Sequence, residues 1–114
     1  MQDYMFIYRG GDHTWTEAAP EQKQALMAKW GAWFSKLGEK GQLVTGGSPL
    51  AFSGQRLTKD GVVTDIAASE VKELVSGYSI VKAKSLDEAV TIARECPLLA
   101  FAGALVEVRP VLSM

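Results

Sequence analysis

The order in which apolar and polar positions cluster, alternate and break along the chain predicts its elements one after another. Residues 4–8, Tyr-Met-Phe-Ile-Tyr, are apolar throughout and rich in aromatic and β-favouring types. That pattern suits a strand covered on both faces or lying at the centre of a sheet. Arg9-Gly10-Gly11-Asp12 breaks it, and residues 13–19 form a polar connection to Pro20, which suits a first helical turn because it has no N–H to leave unpaired. Leu26, Trp30, Trp33, Phe34 and Leu37 then recur at three- and four-residue spacings, while Glu21, Lys29, Lys36 and Lys40 lie largely elsewhere. The spacing predicts a long amphipathic helix, with Gly41 as its stop.

The second half follows the same logic. Residues 42–45 read as a short strand closed by Gly46-Gly47-Ser48-Pro49. Residues 55–58 and 62–65 flank Lys59-Asp60-Gly61, and Asp-Gly between β-favouring runs predicts a hairpin. Residues 69–75 suggest a short helical turn ended by Ser76-Gly77. Residues 78–83 resume strand alternation, and Ser85-Leu86-Asp87-Glu88 has the Ser-x-x-Glu form of a capping box, so a second helix starts near Leu86. Its apolar face is expected at Leu86, Ala89, Val90 and Ala93, and Pro97 prevents extension. Residues 105–109 alternate as a last strand that stops at Pro110.

The resulting order is strand, helix, strand, inserted hairpin, strand, helix, strand. This is an α+β, ferredoxin-like βαββαβ plan with an antiparallel sheet and two helices on one face. One helical layer leaves the other face of the sheet to be met by a partner, a ligand or water. A homodimer with its two sheets face to face resolves that and encloses a cavity.

Composition narrows the possibilities further. The 114 residues fit a single domain spanning 1–114, and 47% apolar with 22% charged residues is ordinary for a globular chain. A net charge of -1 with twelve dispersed Lys and Arg offers no field for nucleic acid. One cysteine, Cys96, excludes an internal disulfide, and a single histidine leaves too few soft ligands for a zinc site. The opening apolar run is shorter than the ~7–15 residues of a signal core, and no segment reaches the ~18 apolar residues of a membrane span. These features together indicate a cytoplasmic protein with no membrane or cofactor requirement. Neither Gly10-Gly11 nor Gly46-Gly47 has a phosphate-loop or dinucleotide pattern, and both read as turns.

Asp65, Glu70, Lys72-Glu73 and Gly77-Tyr78 resemble the signature region of the YCII-related family, whose larger branch is the DGPF-domain family. Glu95-Cys96-Pro97, Gly103 and Val106-Glu107-Val108-Arg109-Pro110 resemble that family's closing pattern, and Tyr4-Met5-Phe6-Ile7-Tyr8 its first strand. The resemblance spans most of the chain in matching order. One departure stands out: Asp65-Ile66-Ala67-Ala68 keeps the acid of Asp-Gly-Pro-Phe and loses the rest. The resemblance implies a dimeric α/β barrel of two ferredoxin-like protomers packed sheet to sheet. It implies no particular reaction: most members have no established activity. Relatives in the wider barrel superfamily act as lyases, isomerases or dehalogenases on small oxygenated rings, and some members carry a transcription-related label.

Against that background the chemistry-bearing residues are few. Asp65, an acid at a strand end, is the candidate general acid or base if a cavity partly desolvates it, and otherwise a strand-end Asp bonding backbone N–H groups. His13, in the loop after the first strand, is the one side chain with an ordinary pKa near neutrality. In the YCII branch a His and an Asp are suspected of acting as a dyad. No motif aligns His13 with that His, and the separation of His13 from Asp65 in sequence neither supports nor excludes contact. Trp15, a large aromatic in a polar loop, packs on core, on a partner or on a ring-shaped ligand. Glu70 and Lys72, two apart, do not share a helical face, so at most one points inward. Arg9, at the end of the first strand, suits an anionic ligand or a surface ion pair. The two functional readings are a homodimer binding a small metabolite with cofactor-independent acid/base chemistry, and a non-catalytic ligand-sensing or accessory module.

Overall fold

Strand β1 (Gln2–Arg9) alternates rather than being buried throughout: Tyr4, Phe6 and Tyr8 are buried, while Met5, Ile7 and Arg9 on the other face are half-buried. The computed structural model describes residues 1–11, 17–51, 53–61, 63–65 and 74–114, the three residues 63–65 by their backbone. β1 is followed by α1 (Pro20–Glu39), β2 (Leu43–Thr45), β3 (Gln55–Leu57), β4 (Val63–Asp65), β5 (Val75–Ala83), α2 (Leu86–Ala93), a 3₁₀ turn (Pro97–Ala100) and β6 (Leu105–Pro110). The main sheet has the order β2-β5-β1-β6, antiparallel at each pairing, so β1 is central as its composition requires. This is the ferredoxin-like βαββαβ arrangement, with β3 and β4 paired as a separate two-stranded hairpin in the connection between β2 and β5.

Local chemistry sets the helix ends. Pro20 opens α1, and the Gln22 side chain accepts the Ala19 N–H at 2.9 Å. At the other end the Gln42 N–H bonds the Leu37 carbonyl at 2.9 Å and the Gly41 N–H bonds Gly38 at 3.0 Å, the paired bonds of a Schellman stop. Ser85 Oγ caps α2 by accepting the Glu88 N–H at 3.1 Å. The Glu88 carboxylate reaches back one residue further than a capping box predicts, to the Lys84 N–H at 3.2 Å.

Both helices lie on the Tyr4/Phe6/Tyr8 face. Trp33 and Leu37 from α1, with Trp30 and Phe34 beside them, and Ala89, Ile92 and Ala93 from α2 close the core over Phe6, Val81 and Ala83. The apolar face expected for α2 needs correction: Leu86, at the first helical position, is exposed and Val90 is half-buried, while Ile92 joins Ala89 and Ala93 in the core, because the side of the helix that packs runs through these three.

A second correction concerns Ser76-Gly77, expected as a turn. Both lie inside β5, which begins at Val75; there Tyr8 pairs with Gly77 and Arg9 with Val75 across a bulge. Of the helical turn expected over 69–75, Leu74 is a bend and Val75 is strand, and residues 69–73 lie outside the described residues. Gly77 is required by a close approach: a Cβ there would sit 2.9 Å from the Ser48 carbonyl oxygen, where Pro49 bridges onto β5. Pro110, expected to stop the last strand, instead pairs with Tyr4 on edge strand β6, where its missing N–H costs no ladder bond. Among the described residues no helix is long and apolar enough to cross a membrane.

Candidate functional site

Strand alternation gives the sheet two unlike faces, and the one without helices carries Arg9. Met5 and Ile7 of β1 and Tyr78 and Ile80 of β5 form its apolar centre, in register as Ile7 opposite Tyr78 and Met5 opposite Ile80. All four are half-buried. β6 contributes Leu105, Glu107 and Arg109 opposite Arg9, Ile7 and Met5. Arg9 Nε lies 3.5 Å from Glu107 Oε1, and Arg109 Nη1 lies 3.9 Å from Glu107 Oε2, so one carboxylate is flanked by two guanidinium groups. At the far end of the same face Lys82 Nζ meets Asp3 Oδ1 at 2.9 Å. The face is thus an apolar floor with an Arg-Glu-Arg rim on one side and a Lys-Asp pair at one end.

Of the residues singled out in the sequence, Arg9 is the one whose side chain the structure describes, and it sits on this rim. Asp65 lies in β4, with its backbone opposite Gln55; its side chain, and His13, Trp15, Glu70 and Lys72, are outside the described residues. The described strand ends that flank two of these segments are paired. The stretch bearing His13 and Trp15 leaves β1 just after Arg9, and the stretch bearing Glu70 and Lys72 enters β5 just before Val75, the residue paired with Arg9.

Directly beneath, on the helix side, is a buried polar chain that the hydrophobic pattern did not announce. Tyr8 Oη donates to Ser79 Oγ at 2.7 Å, and Ser79 Oγ donates to the Gly46 carbonyl at 2.8 Å. Ser79 is fully buried in an otherwise apolar register of β5, and that polar residue at a core position was the available signal. The Tyr8 ring meets Trp30 edge-on at 5.2 Å, and Trp33 Nε1 is buried without a hydrogen-bond partner among the described residues. Trp30 and Trp33 are therefore core residues, as their spacing indicates.

Cys96 adjoins this chain. Burial pushes its thiol from 9.0 up to about 11, against the opposing pull of the Leu98 N–H and the Tyr8 hydroxyl. Burial likewise raises the Tyr8 phenol. Both groups stay neutral at physiological pH and act as packing and hydrogen-bonding groups. The sign of the linkage follows. The unfolded chain releases the Cys96 proton above about pH 9 while the folded chain holds it to about 11, so this part of stability is intact below pH 9 and declines as pH rises through that window. Urea midpoints measured from pH 8 to 11 should fall, and Cys96→Ala should flatten the fall between pH 9 and 10, before Tyr8 contributes. Native Cys96 should also resist iodoacetamide at pH 8; rapid alkylation or an unchanged slope would contradict this account.

Among the described residues no group of three His, Cys, Asp or Glu side chains is placed to hold a metal ion. The YCII-related domain model matches residues 1–114. No curated protein matches the chain.

Proposed function

Because the chain belongs to the YCII-related family, we propose that it works as a cytoplasmic homodimer of single-domain protomers that binds a small oxygenated or anionic metabolite between sheet faces. The observation that carries this reading is the half-buried floor of Met5, Ile7, Tyr78 and Ile80 with Arg9 on its rim. An apolar floor with a few polar groups at its border is the usual make-up of a small-molecule site. A guanidinium flanking it favours an oxyanion.

In this reading Arg9 orients the anionic group and Trp15 stacks on a ring. Glu70 and Lys72 come from the segment that enters beside Arg9 and border the opening. Asp65 and His13 then move a proton on and off the bound molecule without a cofactor, in lyase- or isomerase-like chemistry. A histidine and a carboxyl group are both residue types that serve as general acid or base.

The test is a thermal-shift screen of small hydroxy- and keto-carboxylates and phenols, followed by calorimetry on each hit. Arg9→Gln is expected to weaken a carboxylate hit at least tenfold, and Asp65→Asn to lower any turnover of it at least 100-fold with binding retained. Binding without turnover would move the reading to a ligand sensor. Affinity indifferent to Arg9→Gln would remove the proposed orientation.

A further inference from the structure

Among the described residues the β3–β4 hairpin has no substantial packing on another element of its protomer. Gln55, Arg56 and Leu57 are all exposed, Leu57 at 73%, and among the described elements the only substantial neighbour of each hairpin strand is the other. Leu50, in the connection leading to it, is exposed at 45%. A two-stranded hairpin of this length is at best marginally stable in water by itself and needs a surface to pack on.

The main sheet has a matching shortfall. Its strands of 8, 3, 9 and 6 residues span a face of about 400 Å² at ~4.8 Å per strand and ~3.3 Å per residue. Two such faces bury on the order of 1,000 Å² once side-chain relief is counted, short of the ~1,200–2,000 Å² of a stable specific interface. Sheet contact alone is thus too small, and the exposed hairpin strand Gln55–Leu57 is available to enlarge it.

Charge indicates what the occupant is. The described charged groups of the open face are Asp3, Arg9, Lys82, Glu107 and Arg109, already joined as Lys82–Asp3 and as Arg9–Glu107–Arg109. A face whose charges are largely neutralised internally does not repel a copy of itself, which an isologous contact requires.

We infer that the β3–β4 hairpin is an arm that docks on a second copy of this chain, through Leu57, and completes the dimer interface that the sheet faces begin. The inference rests on the homodimer reading above and deepens it. The arm belongs to one protomer and its seat to the other, so the hairpin's order depends on assembly.

Sedimentation velocity on the full chain from 0.1 to 100 μM tests this. The expected result is a wild-type dimer whose dissociation constant rises at least tenfold in Leu57→Asp, a change at a side chain too exposed to matter to the isolated protomer. Hydrogen exchange on the wild-type chain supplies a second readout free of any variant: amides of β3 and β4 should be protected at high concentration and exchange near the free rate under dissociating dilution. A wild-type monomer throughout would overturn the homodimer reading and the arm together. A dimer indifferent to Leu57→Asp, or hairpin amides whose exchange ignores concentration, would overturn the arm and leave the homodimer standing.

Discussion

Phe6→Ala is expected to lower stability by about 3–5 kcal/mol, the range for removing a fully buried aromatic side chain. Phe6 is completely inaccessible at the middle of the central strand, and its ring stacks on Trp33 at 6.1 Å with 17° between planes. The loss combines the transfer of the ring with the cavity it leaves, and the cavity cannot readily collapse. Its walls come from two layers: β1 is fixed by pairing on both sides, and Trp33 is held among Trp30 and Phe34. A domain of this size has about 5–15 kcal/mol in total, so a large part of the margin goes. With a urea slope of about 1–2 kcal/mol/M, the midpoint should drop by roughly 1.5 M or more. A shift under 0.5 M would mean that Phe6 does not anchor the contact between α1 and the sheet.

Gly47→Ala should be nearly as damaging for an unrelated reason. Gly47 has φ 70, and a Cβ there would overlap the Tyr78 carbonyl oxygen and lie 2.7 Å from its carbon. The obstacle is backbone of β5, which cannot rotate aside as a side chain would. Left-handed strain of about 1–2 kcal/mol is joined by about 1–3 kcal/mol of overpacking. The neighbouring carbonyl of Gly46 accepts the Ser79 hydroxyl, so a shift here should also loosen the Tyr8–Ser79 chain. Gly61 isolates the first term: its φ is 79, and a Cβ would meet nothing within 4 Å. Thermal melts should therefore show Gly47→Ala well below Gly61→Ala. Equal losses would show that backbone strain alone accounts for both.

Much of the fold can be read from short stretches of sequence. Pro20 and Gly41 mark the ends of α1, Ser85 starts α2, and Asp60-Gly61 turns a hairpin, because each acts on hydrogen bonds within a few residues of itself. Gly77 shows where that reading stops. In sequence it punctuates, yet in the fold it is a strand residue that lets Ser48 and Pro49 cross, and the partner that dictates this is almost thirty residues away. Leu86 and Ile92 carry the same lesson. Spacing puts Leu86 on the apolar face and leaves Ile92 off it, yet packing buries Ile92 and exposes Leu86.

The site divides along the same line. Arg9 could be named in the sequence as a candidate for an anion, but its ion pair with Glu107 needs β6, ninety-odd residues on, to lie beside β1. That Tyr8, Ser79 and Cys96 meet was not legible in the sequence, since a hydrogen bond between residues 71 apart has no local signature. The sequence by itself therefore determined the kinds of element, most of their ends and the strand that would be central, because propensity, capping and periodicity are short-range effects. Which strands are neighbours, which glycine is crossed, which polar groups meet in the core and which face lacks helices were decided by the tertiary structure, where contacts between distant residues outweigh local preference.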